Sequence, residues 1–141
     1  MVALAQRPCI PCRGGFEPLT REQCAPYLAE VPDWELRNDA RTLARRFRFP
    51  DYRTALAFAN AVSALAEEFW HHPELLLGFG FCEVCLTTRK IRGLHESDFV
   101  MAARIDALAK NPLDSAWLPP LPPPKPKKEQ ATTGSSMSAR V

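Results

Sequence analysis

The sequence predicts a single α+β domain: a four-stranded antiparallel sheet with three helices packed on one face. Three observations predict it. Between Thr20 and Lys110, helix-like and strand-like patterning alternate as helix, two strands, helix, two strands, helix. Strands that follow one another in pairs form hairpins, and a sheet built of hairpins is antiparallel with its helices gathered on one side. Finally, 141 residues at 46% hydrophobic and 24% charged suit one soluble core and are too few for two.

The elements follow in order. Met1 to Pro18 has no periodic pattern and reads as an N-terminal arm carrying Cys9-Ile10-Pro11-Cys12. Thr20-Arg21-Glu22-Gln23 is a capping box, in which the threonine oxygen accepts from a free amide of the first turn while Gln23 reaches back. The helix it starts runs to about Ala29, ahead of Pro32. Trp34-Glu35-Leu36 and Leu43 to Phe49 alternate around Asn38-Asp39 and predict a hairpin. Asp51 is a natural N-cap. Behind it Ala55, Leu56, Ala59, Val62, Ala66 and Phe69 recur at three- and four-residue spacing, the clearest amphipathic helix in the chain. His71-His72-Pro73 ends it. A strand pair is expected between Leu75 and Thr88, with Leu75, Leu77, Phe79 and Phe81 on one face and a bend near Gly78 and Gly80. The last helix runs from about Glu96 to Lys110, with Met101, Ile105 and Leu108 on its apolar face. The domain is expected over residues 19–112. Residues 113–141, rich in proline and lysine and then in serine and threonine, are expected to stay disordered with some polyproline II.

Several function classes fall away. The longest apolar stretch, Ala55 to Val62 broken by Asn60, is far short of the roughly 18 residues that span a bilayer. Met1 to Arg7 lacks the form of a secretory signal. A net charge of +2 gives no reason to expect nucleic acid. The five cysteines are expected as reduced thiols in a cytoplasm. Cys9/Cys12 and Cys82/Cys85 have zinc-ligand spacing, but residues three apart on a strand point to opposite faces, so structural cysteines are expected and no metal. Arg37, Arg41, Arg45, Arg46 and Arg48 crowd the first hairpin and read as a solvated face.

Candidate chemistry is concentrated in Glu67-Glu68-Phe69-Trp70-His71-His72-Pro73 and in Thr88-Arg89-Lys90-Ile91-Arg92-Gly93-Leu94-His95. Two imidazoles at a helix exit can exchange protons near neutrality, since histidine titrates at about 6.5 when unperturbed. Glu67, four residues before His71, lies on the same helical face and is expected to orient that ring.

Glu67, His71, His72, Pro73, Phe79, Thr88, Gly93, Leu94 and Asp98 give the chain a gapless resemblance to the pterin-4a-carbinolamine dehydratase family, covering Thr20 to Leu108. The Cys9 to Gly15 arm and Lys90 to Phe99 resemble one bacterial branch of it. The resemblance implies removal of water from 4a-hydroxytetrahydropterin without metal or organic cofactor. It implies His71 and His72 as acid/base groups with Glu67 as orienter, and Pro73, Phe79 and Thr88 as substrate contacts. A third histidine should follow Thr88, where this chain has Arg89. A guanidinium stays protonated and cannot cycle a proton. Turnover is therefore expected to be lost or severely weakened, and His95, six positions on, does not replace the missing group. The family includes a branch that keeps the fold without the full site, a Rubisco assembly factor of the α-carboxysome. The incomplete histidine set, an apolar ridge of Leu75, Leu77 and Phe81 and the Pro/Lys tail resemble that branch. The expected function is accordingly Rubisco assembly, with the Rubisco large subunit as partner, a homodimer or higher oligomer, and a cytoplasmic, carboxysome-associated location. The alternative is an active dehydratase of tetrahydrobiopterin recycling.

Overall fold

The structure, a computed structural model, describes residues 3–8 and 17–110. Helix α1 (Arg21–Leu28) begins at the expected capping box: Thr20 Oγ1 accepts from the Gln23 amide at 3.1 Å and Gln23 Oε1 from the Thr20 amide at 2.9 Å. Strands β1 (Glu35–Arg37) and β2 (Thr42–Arg48) form the first hairpin, turned by Asn38, Asp39 and Ala40, all with positive φ. Helix α2 (Tyr52–Phe69) starts at Asp51, whose carboxylate accepts from the Thr54 amide at 2.7 Å. Strands β3 (Glu74–Gly78) and β4 (Phe81–Leu86) and helix α3 (Glu96–Lys110) complete the order. The sheet runs β1-β2-β4-β3, antiparallel throughout.

One face of the sheet meets the helices. Leu43 and Phe47 of β2 and Cys82, Val84 and Leu86 of β4 are buried against Phe58 and Val62 of α2 and Phe99, Val100, Met101, Ala102 and Ile105 of α3. Phe58, outside the apolar set read from the sequence, is the fully buried centre of α2. Its ring lies 4.6 Å from Phe47 and 5.1 Å from Phe49.

Register corrects the expected ridge. Leu75 pairs with Val84 and Leu77 with Cys82, so both leucines face the helices and pack half-buried on the core. Phe81 pairs with Gly78 on the opposite face, where the Arg46 guanidinium lies 4.2 Å over its ring. Phe79 belongs to the β3–β4 turn, which needs the positive φ of Gly80. Period-two counting carried the alternation straight through a two-residue turn and so put Phe79 and Phe81 on the wrong side. The three proposed partner contacts do not share a surface. The exposed apolar side chains here are Leu76 and Phe79.

The arginines also divide. Arg37 and Arg46 both hold Glu83 on the open face, at 3.0 and 3.2 Å. Arg45 instead turns toward α3 and donates to Asp106 at 2.7 Å, as does the Trp34 indole at 2.8 Å. Burial still raises the Asp106 pKa against those two donors. Cys82 faces the core and Cys85 the open face, and burial pushes the Cys82 thiol up to about 11. These two do not converge on a metal. Cys9, Cys12 and the Pro/Lys segment lie outside the described residues. Among the described residues no helix is long and apolar enough to cross a membrane.

Part of the N-terminal arm is ordered structure. Leu4, in a 3₁₀ turn (Leu4–Gln6), is buried among the core residues, and Arg104 of α3 donates to the Arg7 carbonyl at 2.7 Å.

Candidate active site

The pocket lies where α2 ends and β4 ends, side by side. Helix α2 stops because Trp70 is left-handed (φ 53°, ψ 42°), its amide still donating to the Ala66 carbonyl. Pro73 prevents the helix from resuming. The other wall follows β4. Thr88 leads into a 3₁₀ turn (Arg89–Ile91), left-handed Arg92 reverses the chain, and the Thr88 amide donates to the Gly93 carbonyl at 2.8 Å. Gly93 is obligatory here, because a Cβ would stand 2.4 Å from Cβ of Pro18. Trp70, His71, His72, Pro73, Thr87, Thr88, Arg89 and Lys90 line a cavity of about 480 Å³.

Each histidine has its own carboxylate, and the assignment differs from the expected one. Glu67 pairs with His72, not His71: His72 Nε2 meets Glu67 Oε2 at 2.5 Å. His71 belongs to Asp98, its Nε2 lying 2.6 Å from Oδ1. The left-handed step at Trp70 takes the chain off the helical path, so the four-residue spacing that would align Glu67 with His71 no longer applies. Asp98 is completely buried at the start of α3. Its second oxygen accepts from Thr88 Oγ1 at 2.7 Å and from the His95 amide at 2.9 Å. An ionised carboxylate only accepts, so each ring donates to it from Nε2, and a neutral ring then carries its lone pair on Nδ1. The site therefore holds two imidazoles in a defined tautomer, one of them braced by a fully buried network.

The remaining expected residues fare differently. Pro73 and Thr88 line the pocket. Phe79 does not; it projects from the β3–β4 turn with 76% of its surface exposed. Arg89 lines the pocket with its side chain 77% exposed, its guanidinium 3.6 Å from Glu74. His95 is outside the lining, its Nδ1 accepting from the Ser97 amide at 3.2 Å. Sequence reasoning missed Asp98 as the partner of His71, and missed Trp70, Thr87 and Lys90 as lining. The signal for Trp70 was a bulky residue between a helix and His-His-Pro, a place that favours glycine.

A model of the family described as "Pterin 4 alpha carbinolamine dehydratase" matches residues 17–108. The chain belongs to this family. A protein of Halorhodospira halophila provisionally named a pterin-4-alpha-carbinolamine dehydratase is 48% identical over 107 residues, 76% of this chain and 98% of that one. A Rubrobacter xylanophilus protein with the same provisional name is 46% identical over 108 residues, 77% of this chain and all of that one. The crystal structure of a transcriptional coactivator/pterin dehydratase from Brucella melitensis aligns with a TM-score of 0.62 at 29% identity, covering 66% of this chain and 99% of that one. A pterin dehydratase-like RuBisCO assembly factor of the α-carboxysome aligns at 0.48 with 32% identity, over 55% of this chain and 89% of that one, too loose a fit to carry an argument. The dehydratase fold expected from the sequence is thus the fold of the domain, with the His71, His72 and Asp98 constellation at its one end.

Proposed function

We propose that this dehydratase-family protein binds a pterin but turns over little 4a-hydroxytetrahydropterin, and that it serves instead as an assembly factor for the Rubisco large subunit. The observation that carries the first part is Arg89. It occupies the place after Thr88 where the resemblance calls for a third histidine, and it lines the same pocket as His71 and His72. Dehydration needs a proton delivered to the departing C4a hydroxyl and another taken from the ring nitrogen. His71 and His72 can supply one donor and one acceptor between them. Arg89 can hydrogen-bond the substrate but cannot give up its proton. Loss of one positioned acid or base costs roughly 100- to 10,000-fold in rate. The Rubisco role rests on resemblance alone: an incomplete histidine set and a Pro/Lys-rich C-terminal sequence in a dehydratase frame. Strand β3 is a sheet edge with Leu76 exposed, which suits pairing of two copies into the expected homodimer.

A second reading, an active dehydratase, is favoured by the two carboxylate-held imidazoles, which preserve more acid–base machinery than a discarded site requires. One assay separates the two. The purified protein is expected to accelerate dehydration of 4a-hydroxytetrahydropterin only weakly, and Arg89→His to raise the rate at least tenfold. Rapid turnover by the unaltered protein, with no gain in the variant, would establish the enzyme. Capture of the Rubisco large subunit by the tagged protein from a cell extract containing both tests the assembly role, and failure of capture removes it.

A further inference from the structure

The pocket has two features that neither the family's reaction nor its histidines account for. One is Trp70. A tryptophan in the left-handed region is strained, and glycine or asparagine normally occupies a helix end of this form. Burial does not hold it there, since 70% of its surface is exposed. Its ring stands edge-on to His72, with centroids 5.0 Å apart at 80°, and it lines the cavity. Strain without burial, at the lip of a pocket, points to a contact made with a ligand. The other feature is charge. Arg89 and Lys90 both line the cavity, and among the described residues no acidic side chain does. The nearby carboxylates are engaged: Glu67 on His72, Asp98 on His71 and Thr88, Glu74 on Arg89. The Arg89–Glu74 pair is 3.6 Å apart with both side chains 77% exposed, so it holds weakly and yields readily to a better anion. Lys90 has no ion-pair partner among the described residues.

We propose that the pocket takes a pterin carrying an anionic substituent, a phosphate or a carboxylate, with its flat ring against Trp70 and its anion between Arg89 and Lys90. This rests on the pterin-binding reading above. A planar guanidinium matches either anion through paired hydrogen bonds, and an ammonium adds a point charge. The replacement of a histidine by Arg89 then exchanges a proton-transfer group for a recognition group.

The test uses the full-length protein and calorimetric titration with four probes: neopterin, neopterin monophosphate, 6-hydroxymethylpterin and 6-carboxypterin. The anionic member of at least one pair is expected to bind about tenfold more tightly than its neutral counterpart, as for a hydrogen bond to a charged group. Which pair shows the preference distinguishes phosphate from carboxylate. The preference is expected to disappear in Arg89→Gln/Lys90→Gln, the anionic probe losing about tenfold more affinity than its neutral counterpart. Trp70→Gly is expected to weaken every probe by about tenfold, as loss of one base–aromatic stack does, with a melting temperature equal to or above that of the parent. Trp70→Phe is expected to recover most of that loss. Equal affinity for charged and neutral probes overturns the anion site, and unchanged affinity in Trp70→Gly overturns the stacking platform. If no pterin of either kind binds, the pterin-binding reading itself falls, and with it this inference.

Discussion

Asp98→Asn is the sharpest perturbation available in this pocket. The side chain is completely buried and serves three donors: the His71 ring at 2.6 Å, the Thr88 hydroxyl at 2.7 Å and the His95 amide at 2.9 Å. Asparagine has nearly the same shape but only one oxygen. If that oxygen faces Thr88 and His95, the amide nitrogen meets His71 and forces its Nε2 to accept, which moves the proton to Nδ1. If it faces His71, the amide nitrogen points at the His95 N–H, donor against donor. Both arrangements lose the charge that strengthens all three bonds. Hydrogen bonds to a charged group contribute about 1.5–3 kcal/mol each, and an unsatisfied buried donor costs about 1–3 kcal/mol. Because the pocket relaxes, these values do not simply add, and a loss of about 3 kcal/mol is expected overall. For a domain of this size that lowers the melting temperature by about 15 °C. Urea denaturation read by circular dichroism measures the loss. Nitrogen NMR of the His71 ring reads the tautomer, which is expected to shift from Nε2–H toward Nδ1–H. A stability change under about 0.5 kcal/mol, the range of ordinary surface substitutions, together with an unchanged tautomer would refute the claim that Asp98 braces His71.

Two further outcomes test the fold around the site. Arg37, and after it Arg46, holds the Glu83 carboxyl below its ordinary range through hydrogen bonds. A carboxyl with a lowered folded-state pKa contributes stability above its unfolded value of about 4.3, and that contribution is lost as the pH falls through the folded value. Denaturation midpoints measured from pH 7 to pH 3 are expected to fall more steeply in the parent than in Glu83→Gln, and equal slopes would contradict the assignment. Thr20→Ala removes one half of the capping box at α1 and is expected to cost about 1 kcal/mol in thermal unfolding, whereas Thr20→Ser is expected to keep most of it.

Much of the fold was legible because its signals are local. Thr20 with Gln23, and Asp51 ahead of its amphipathic run, each need only a few neighbouring residues to declare a helix start, and both starts are where the spacing puts them. The limits appear where local patterns meet a backbone reversal. At Trp70 a single left-handed residue redirected two histidines and gave Glu67 to His72 in place of His71. At Phe79-Gly80 a tight turn reversed the facing of everything counted across it. Asp98 was legible as a signature residue of the family but not as the partner of His71, since 27 residues separate them and only the meeting of α3 with the α2 exit brings them together. Arg89 could be read as a departure from the family without any coordinates. Its consequence for charge could not, because that depends on which acids share the cavity.

Arg104 has a bearing on how this protein is handled. Its guanidinium stacks 4.1 Å from the Phe69 ring, the last residue of α2 before Trp70 and the histidines, while it donates to the Arg7 carbonyl at 2.7 Å. The opening residues of the chain are thus a strut, reaching through one side chain to the hinge from which both imidazoles hang. A version trimmed back to Glu17 would retain every histidine and carboxylate of the pocket and yet lose the prop behind them. Weak binding or turnover by such a shortened protein would therefore say nothing about the chemistry of Arg89.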